Sequence, residues 1–224
     1  MLLRATLCNI LRDHQSANSA MKKLDHLLFS LIIGGFFPIL LLFLTFIGWF
    51  YLDRNEAHIP YYLLTASVAG LAIDLKYLKS WLTRKYELPT WFTVFIYLFY
   101  NVMLLGFLMG LPVLNPFAGI VAGYYYGRKL QNQQIAGAKI SIQINRLSFF
   151  TALVMTLVCC ASGFIGLTGD GVGSEVQHML HLSFEITRPM LWGITVIGGA
   201  GLVLLTIFLT RITMVWTVRK PFLG

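Results

Sequence analysis

Three polar side chains, Asp74, Asn101 and Asn115, stand inside runs where nearly every neighbour is apolar. A carboxylate in such a setting can hold a proton or a cation, and a carboxamide can bond a polar solute or a facing helix. Asp74 shares one helical face with Ser67, Gly70 and Tyr77, a small polar stripe that would point inward. The plainer use of that carboxylate is an ion pair near a membrane surface with Lys76, Arg128 or Lys129. For Asn101, placed beside Tyr97 and Tyr100, the plainer use is a bond to another helix, a contact averaging about 0.6 kcal/mol. If Asp74, Asn101 and Asn115 converge, they outline a substrate or ion pathway.

Other chemistry finds little support. His178, His181 and Glu185 recur at i, i+3 and i+7, a spacing that lets two imidazoles and a carboxylate reach one divalent metal. No further ligand motif surrounds them, so a solvated polar face is the weightier reading and no metal or cofactor is expected. The run Ala161-Ser162-Gly163 has Cys160 where an intramembrane serine protease needs glycine, and no histidine lies within an apolar run. H-E-x-x-H, P-loop and Rossmann patterns are absent, so no enzyme is expected. Cys8, Cys159 and Cys160 make no disulfide framework.

The elements that must position these residues are membrane helices. In 224 residues, 57% are hydrophobic and 12% charged, and mean hydropathy is +0.73. So apolar a chain needs lipid as its main solvent. The expected fold is all-α and polytopic: six spans over residues 27–52, 59–77, 90–111, 112–129, 147–167 and 190–210 of a domain covering 27–218. A cytoplasmic arm (1–26) precedes it and a short cytoplasmic tail (219–224) follows. Met21-Lys-Lys runs directly into the first span, so residues 1–20 are expected to be an upstream start misassignment.

Charge sets the orientation. With both termini inside and six crossings, only Arg54 and Arg188 of the 17 basic residues fall outside. Treating the short fourth segment as re-entrant would split the basic residues almost evenly, so the positive-inside rule selects six crossings. The net charge of +8 is thereby topological, and nucleic acid is not an expected partner. Aromatic residues at the span ends, among them Trp49, Tyr51, Tyr61, Tyr62, Trp91, Tyr124 to Tyr126, Trp192 and Trp216, suit headgroup depth. Between the fourth and fifth spans, isoleucines 140, 142 and 144 alternate with polar residues, leaving strand-like and loop conformations open. Residues 174–187 are expected to form a short outer amphipathic helix, started by the capping-box pair Ser174 and Gln177 and ended by Pro189. Three spans plus three would make any internal repeat inverted, although the halves show no convincing match.

The fourth segment departs from an ordinary span. Asn115 as N-cap with Pro116 behind it marks a helix start, and from there to Gly127 a helix covers only about 20 Å of a core of roughly 30 Å. Either the helix begins below the outer headgroups, with non-helical chain at membrane depth, or Pro112 and Pro116 shape a tight outer turn. The turn is the plainer reading. Gly119, Gly123 and Gly127 form a ladder for close helix packing, with Gly106 and Gly110 repeating the interval. Arg128 and Lys129 suit the inner, C-terminal end.

The pattern G-x-P-x-x-N-x-x-x-G-x-x-A-G-x-Y-x-G-R, running from Gly110 to Arg128, resembles one in small six-span bacterial membrane proteins of unassigned function. The resemblance covers roughly the second span onward and implies no activity; the inner positive bias fits a bacterial cytoplasmic membrane. Taken together, the residues lead to the expectation of a small-solute or ion transporter or permease component. The alternative is a non-catalytic assembly subunit that meets a second copy or another membrane subunit through its glycine ladder.

Overall fold

The computed structural model describes residues 2–52, 56–84, 86–107, 110–134, 138–168 and 187–219. Among them every regular element is helical: α1 (Leu2–Leu52), α2 (Ile59–Thr83), α3 (Thr90–Phe107), α4 (Asn115–Asn132), α5 (Ala138–Thr168) and α6 (Arg188–Arg219), with a 3-10 turn at Glu56–His58. Four segments are long and apolar enough to cross a membrane: Asp25–Leu52, Thr90–Phe107, Lys139–Thr168 and Thr195–Arg219. Only 11–22% of each apolar window is buried, so most of that surface faces outward, where lipid is the solvent that suits it.

Several bounds differ from the sequence expectation. The segment read as an arm continues into the first span as the single helix α1. α5 begins at Ala138, so the alternating isoleucines are helical, a form in which a segment satisfies its own backbone without a strand partner. α3 stops at Phe107, and Gly110 at φ +91° donates its N–H to the Leu105 carbonyl at 2.8 Å. Only glycine adopts that left-handed conformation at little cost. α6 opens at Arg188 with Pro189 in its first turn, where a missing N–H is harmless. Of the helix expected over 174–187, including His178, His181 and Glu185, only Thr187 lies within the described residues.

The chain divides into two units, Met1–Pro89 and Thr90–Phe222. In the first, α1 and α2 pack antiparallel. A Cβ added to Gly70 would meet Pro38 Cα at 2.5 Å, and one added to Gly34 would meet Leu78 at 3.5 Å. Farther along the pair, Phe37 stacks on Trp81 and Phe29 meets Tyr86 edge-on, while the Tyr86 hydroxyl donates to Asp25 Oδ2 at 2.8 Å.

The second unit is built on a glycine–threonine seam. A Cβ on Gly119 would lie 2.6 Å from Thr210 Oγ1, one on Gly123 2.7 Å from the Thr210 carbonyl oxygen, and one on Gly127 2.9 Å from Thr217 Cβ. Positions rise together along both helices, so α4 and α6 run parallel. α5, which lies between them in sequence, runs antiparallel against α6: Gly163 faces Thr195, Cys159 faces Gly199, and Arg211 Nη2 donates to Asn145 Oδ1 at 2.6 Å. On α6 the threonines 206, 210, 213 and 217 line the glycine-facing side, and Thr206, Thr210 and Thr217 are fully buried. Burial is tolerable because their hydroxyls are bonded: Thr206 to the Leu202 carbonyl at 2.8 Å, Thr217 to the Thr213 carbonyl at 2.7 Å, and Thr210 to Thr151 Oγ1 at 3.3 Å. Gly106 and Gly110, by contrast, meet nothing within 4 Å, so the ladder is confined to α4.

This seam makes glycine substitutions unequal. Gly123→Ala is expected to destabilise by on the order of 1–3 kcal/mol, because its Cβ would press on backbone that cannot rotate away. Gly201→Ala, with open space around it, is expected to be neutral or slightly stabilising. Unfolding of each variant in a mixed-micelle SDS titration measures the difference, and equal midpoints would contradict the close contact.

Candidate functional site

Asn115 begins α4, yet its side chain does not cap that helix: Leu114 occupies the N-cap position, and it forms no side-chain cap bond. The expected capping role is corrected by what Asn115 does instead. Its Nδ2 donates to the Asn101 carbonyl oxygen at 2.7 Å and to Asn101 Oδ1 at 3.1 Å, tying α4 to the middle of α3. The backbone carbonyl can only accept, so the atom facing it must be the amide nitrogen, which settles the orientation of the group. Asn101 in turn donates from Nδ2 to the Tyr97 carbonyl at 2.9 Å.

Both carboxamides are removed from solvent, at 0% exposure for Asn115 and 2% for Asn101. Among the described residues Asn115 Oδ1 is buried with no hydrogen-bond partner, as is Ser148 Oγ on α5. An unmet buried acceptor costs about 1–3 kcal/mol, so Asn115 Oδ1 is a position that favours an incoming donor. The surrounding turn is closely held. Pro112 and Pro116 are buried, and the Ser162 hydroxyl donates to the Gly110 carbonyl, fastening α5 to the α3–α4 connection. Ser162 therefore serves as a tie, and no base stands beside it in the bonds it makes.

Asp74 belongs to the other unit. It is 5% exposed and makes no hydrogen bond or ion pair among the described residues, and its Oδ1 is buried without a partner. Within its own unit, the ion pair expected from sequence with Lys76 is not among its contacts. Lys76 Nζ lies over the Tyr77 ring at 5.3 Å and Lys129 Nζ over the Tyr125 ring at 5.9 Å. The polar stripe also divides: Gly70 and Asp74 face α1, whereas Tyr77 is exposed and stacks on Trp81, and Ser67 donates to the Leu63 carbonyl at 2.7 Å. Asn101 and Asn115 thus form one joined pair, and Asp74 stands in a separate helix hairpin.

Arg128 is more than an end charge. It is buried, lies 5.5 Å from the Tyr124 ring, and donates to Gln131 Oε1 at 3.1 Å. Gln131 Nε2 then donates to the Thr217 and Val218 carbonyls at 2.7 and 3.2 Å, satisfying the last turn of α6. Tyr124, expected in an interfacial ring, is buried beneath this arrangement, while Tyr51, Tyr61, Trp91, Trp192 and Trp216 are exposed.

Sequence reading overlooked the α6 threonines and Gln131. It also passed over Pro38, whose position inside a long apolar run was the available sign of a disturbed helix. Among the described residues no group of three or more His, Cys, Asp or Glu stands close enough to hold a metal ion. No family model, curated protein or solved structure matches the chain.

The asparagine pair gives a specific energetic signature. Asn115→Ala is expected to destabilise the protein by about 1–3 kcal/mol, since it leaves Asn101 Oδ1 buried and unmet. A double-mutant cycle with Asn101→Ala is expected to return a coupling of roughly 0.6 kcal/mol or more, whereas Asn115→Ala with Cys160→Ala is expected to be additive. Steric-trap unfolding in micelles measures both cycles.

Proposed function

We propose that the chain is a six-span protein of a bacterial cytoplasmic membrane, with both termini inside, acting as a small-solute or ion transporter or permease component. The observation that carries the reading is the wholly buried Asn115 carboxamide, whose Oδ1 lacks a donor at the start of α4. A bound solute or a water file supplies such a donor, and an interior built for packing alone has no need of an unmet acceptor.

Six crossings draw support from the geometry of α4. Its mean hydropathy is too low for it to stand among the lipid-facing helices, yet its polar side chains do not depend on lipid, since its buried face packs on α6 with smaller contacts to α3 and α5. Its 18 residues extend about 27 Å, close to the apolar thickness of a bilayer. The parallel course of α4 and α6, with the intervening α5 running antiparallel to α6, is what three successive crossings produce. Together with the basic residues gathered on one side, this favours the inside placement of both ends.

The assembly alternative rested on the glycine ladder as an open surface. Gly119, Gly123 and Gly127 are already covered by α6 of the same chain, which leaves that ladder no room for a partner.

Cysteine accessibility tests the reading. With Cys8, Cys159 and Cys160 replaced, single substitutions Asn101→Cys, Val113→Cys, Asn115→Cys and Ala118→Cys are probed in intact cells with a membrane-impermeant thiol reagent. Labelling that continues from position 113 inward to 101 is expected. Protection at 101, 115 and 118 alike would refute a water-accessible pathway.

A further inference from the structure

The α1–α2 hairpin places two oxygens of unusual status on facing turns. The first is the carboxyl of Asp74, with Oδ1 buried and unpartnered. The second follows from covalent chemistry: Pro38 lies inside α1 and has no N–H, so the carbonyl four residues earlier, at Gly34, loses the donor that every ordinary helix residue provides. The packing brings these together. Gly70 admits Pro38 at a distance no side chain would allow, and one turn farther along each antiparallel helix Asp74 stands opposite Gly34, with Oδ2 4.0 Å from the point where a Gly34 Cβ would lie. Glycine at 34 leaves room on that side of the α1 backbone, which the Leu78 side chain, at 3.5 Å from the same point, shares with the carboxyl.

We propose that Asp74 and the Gly34 carbonyl form a proton-binding site, in which the neutral carboxyl donates its O–H to the acceptor that Pro38 leaves open. The charge inventory of the hairpin supports a proton. Along α1 from Leu27 to Leu52, Tyr51 is the one titratable residue and no residue is charged; the charged and titratable groups before that stretch, Lys23, Asp25 and His26, lie two turns or more from Gly34, and Asp25 accepts from the Tyr86 hydroxyl. His58 and Glu56 lie at the opposite end of α2, and on α2 itself Lys76, Tyr77 and Lys79 are exposed. An isolated ion in such surroundings is costly, and the group is held neutral or with a bound cation. Two oxygens suffice for one proton shared as a hydrogen bond, whereas a metal cation such as Mg²⁺ or Ca²⁺ takes about six or more.

The inference rests on the transport reading only in making the proton the species this hairpin handles; the carboxyl itself is observed without any flux. The probe is dicyclohexylcarbodiimide, an apolar reagent that adds whole to a protonated carboxyl, applied to the full chain in micelles and located by peptide mass spectrometry. A stable adduct on Asp74 is expected, absent in Asp74→Asn, with a yield that falls through a single titration as pH rises. Pro38→Ala returns an N–H to the Gly34 carbonyl, so the neutral acid loses its acceptor and holds its proton less tightly. The labelling midpoint should then move to lower pH by about half a unit or more. No adduct on Asp74 at any pH in folded wild-type protein would overturn the proposal, as would a midpoint unchanged in Pro38→Ala. Suppression by sodium chloride but not by choline chloride would overturn it in favour of a metal cation. Each of these results is independent of cysteine labelling at positions 101 to 118, so failure here and failure of the transport reading are separately visible.

Discussion

Backbone-to-backbone approach between α4 and α6 is the contact on which the second unit depends. Lipid is as apolar as leucine, so helices within a bilayer gain little from burying large apolar side chains against each other. They gain from close fit, and the fit here comes from three glycines meeting a row of threonines. Because Gly123 leaves the Thr210 carbonyl within contact range, α4 buries its glycine face against α6 and touches α3 and α5 at its margins, while Phe117 and Val121 stay exposed. That packing explains how α4 can carry Asn115, Arg128 and Gln131 without presenting them to lipid. It also explains why the apolar burden falls on α3, α5 and α6, whose outward faces carry large exposed side chains such as Phe107, Phe149 and Leu204.

On such a buried face each polar group must find its partner from the chain itself, and the chain does so by local means. Threonine hydroxyls turn back to carbonyls of their own helix, Gln131 closes the last turn of α6, Ser162 bonds the Gly110 turn, and Asn115 reaches across to Asn101. Against so complete a pattern the exceptions carry meaning. Among the described residues, beside the hydroxyl of Ser148, the carboxamide and carboxyl oxygens so left are Asn115 Oδ1 and Asp74 Oδ1. Each stands where a helix is irregular: Asn115 at the first turn of α4 behind a left-handed glycine, Asp74 across from a proline within α1. Irregular backbone at membrane depth is where membrane proteins expose polar atoms to what they handle, since regular helices keep their own polar atoms satisfied.

Asn101 and Asn115 were legible in the sequence as polar residues out of place, and so was the ladder of glycines at four-residue spacing. The partner of neither could be read. Glycine spacing marks a surface for close approach but is silent on which helix approaches, and the threonines of α6 are unremarkable in a hydropathy profile. The asparagine before Pro116 carried the local signature of a cap, but Leu114 takes the N-cap position and Asn115, one residue inside the helix, turns its Nδ2 to the acceptors of Asn101 on α3. For Asp74 the basic residues nearby suggested an ion pair, yet the face it turns to is set by Gly70 and Pro38, and that face carries no charge.

The sequence by itself determined that this chain is helical and suited to lipid, because hydropathy over twenty-residue runs is a property of composition and needs no knowledge of neighbours. Only the tertiary structure decided which oxygens are left without donors, which helix the glycines receive, and that Asp74 and the asparagine pair belong to different units. Those are properties of distance between residues far apart in the chain, and periodicity along a helix fixes a direction around its axis but not what stands there.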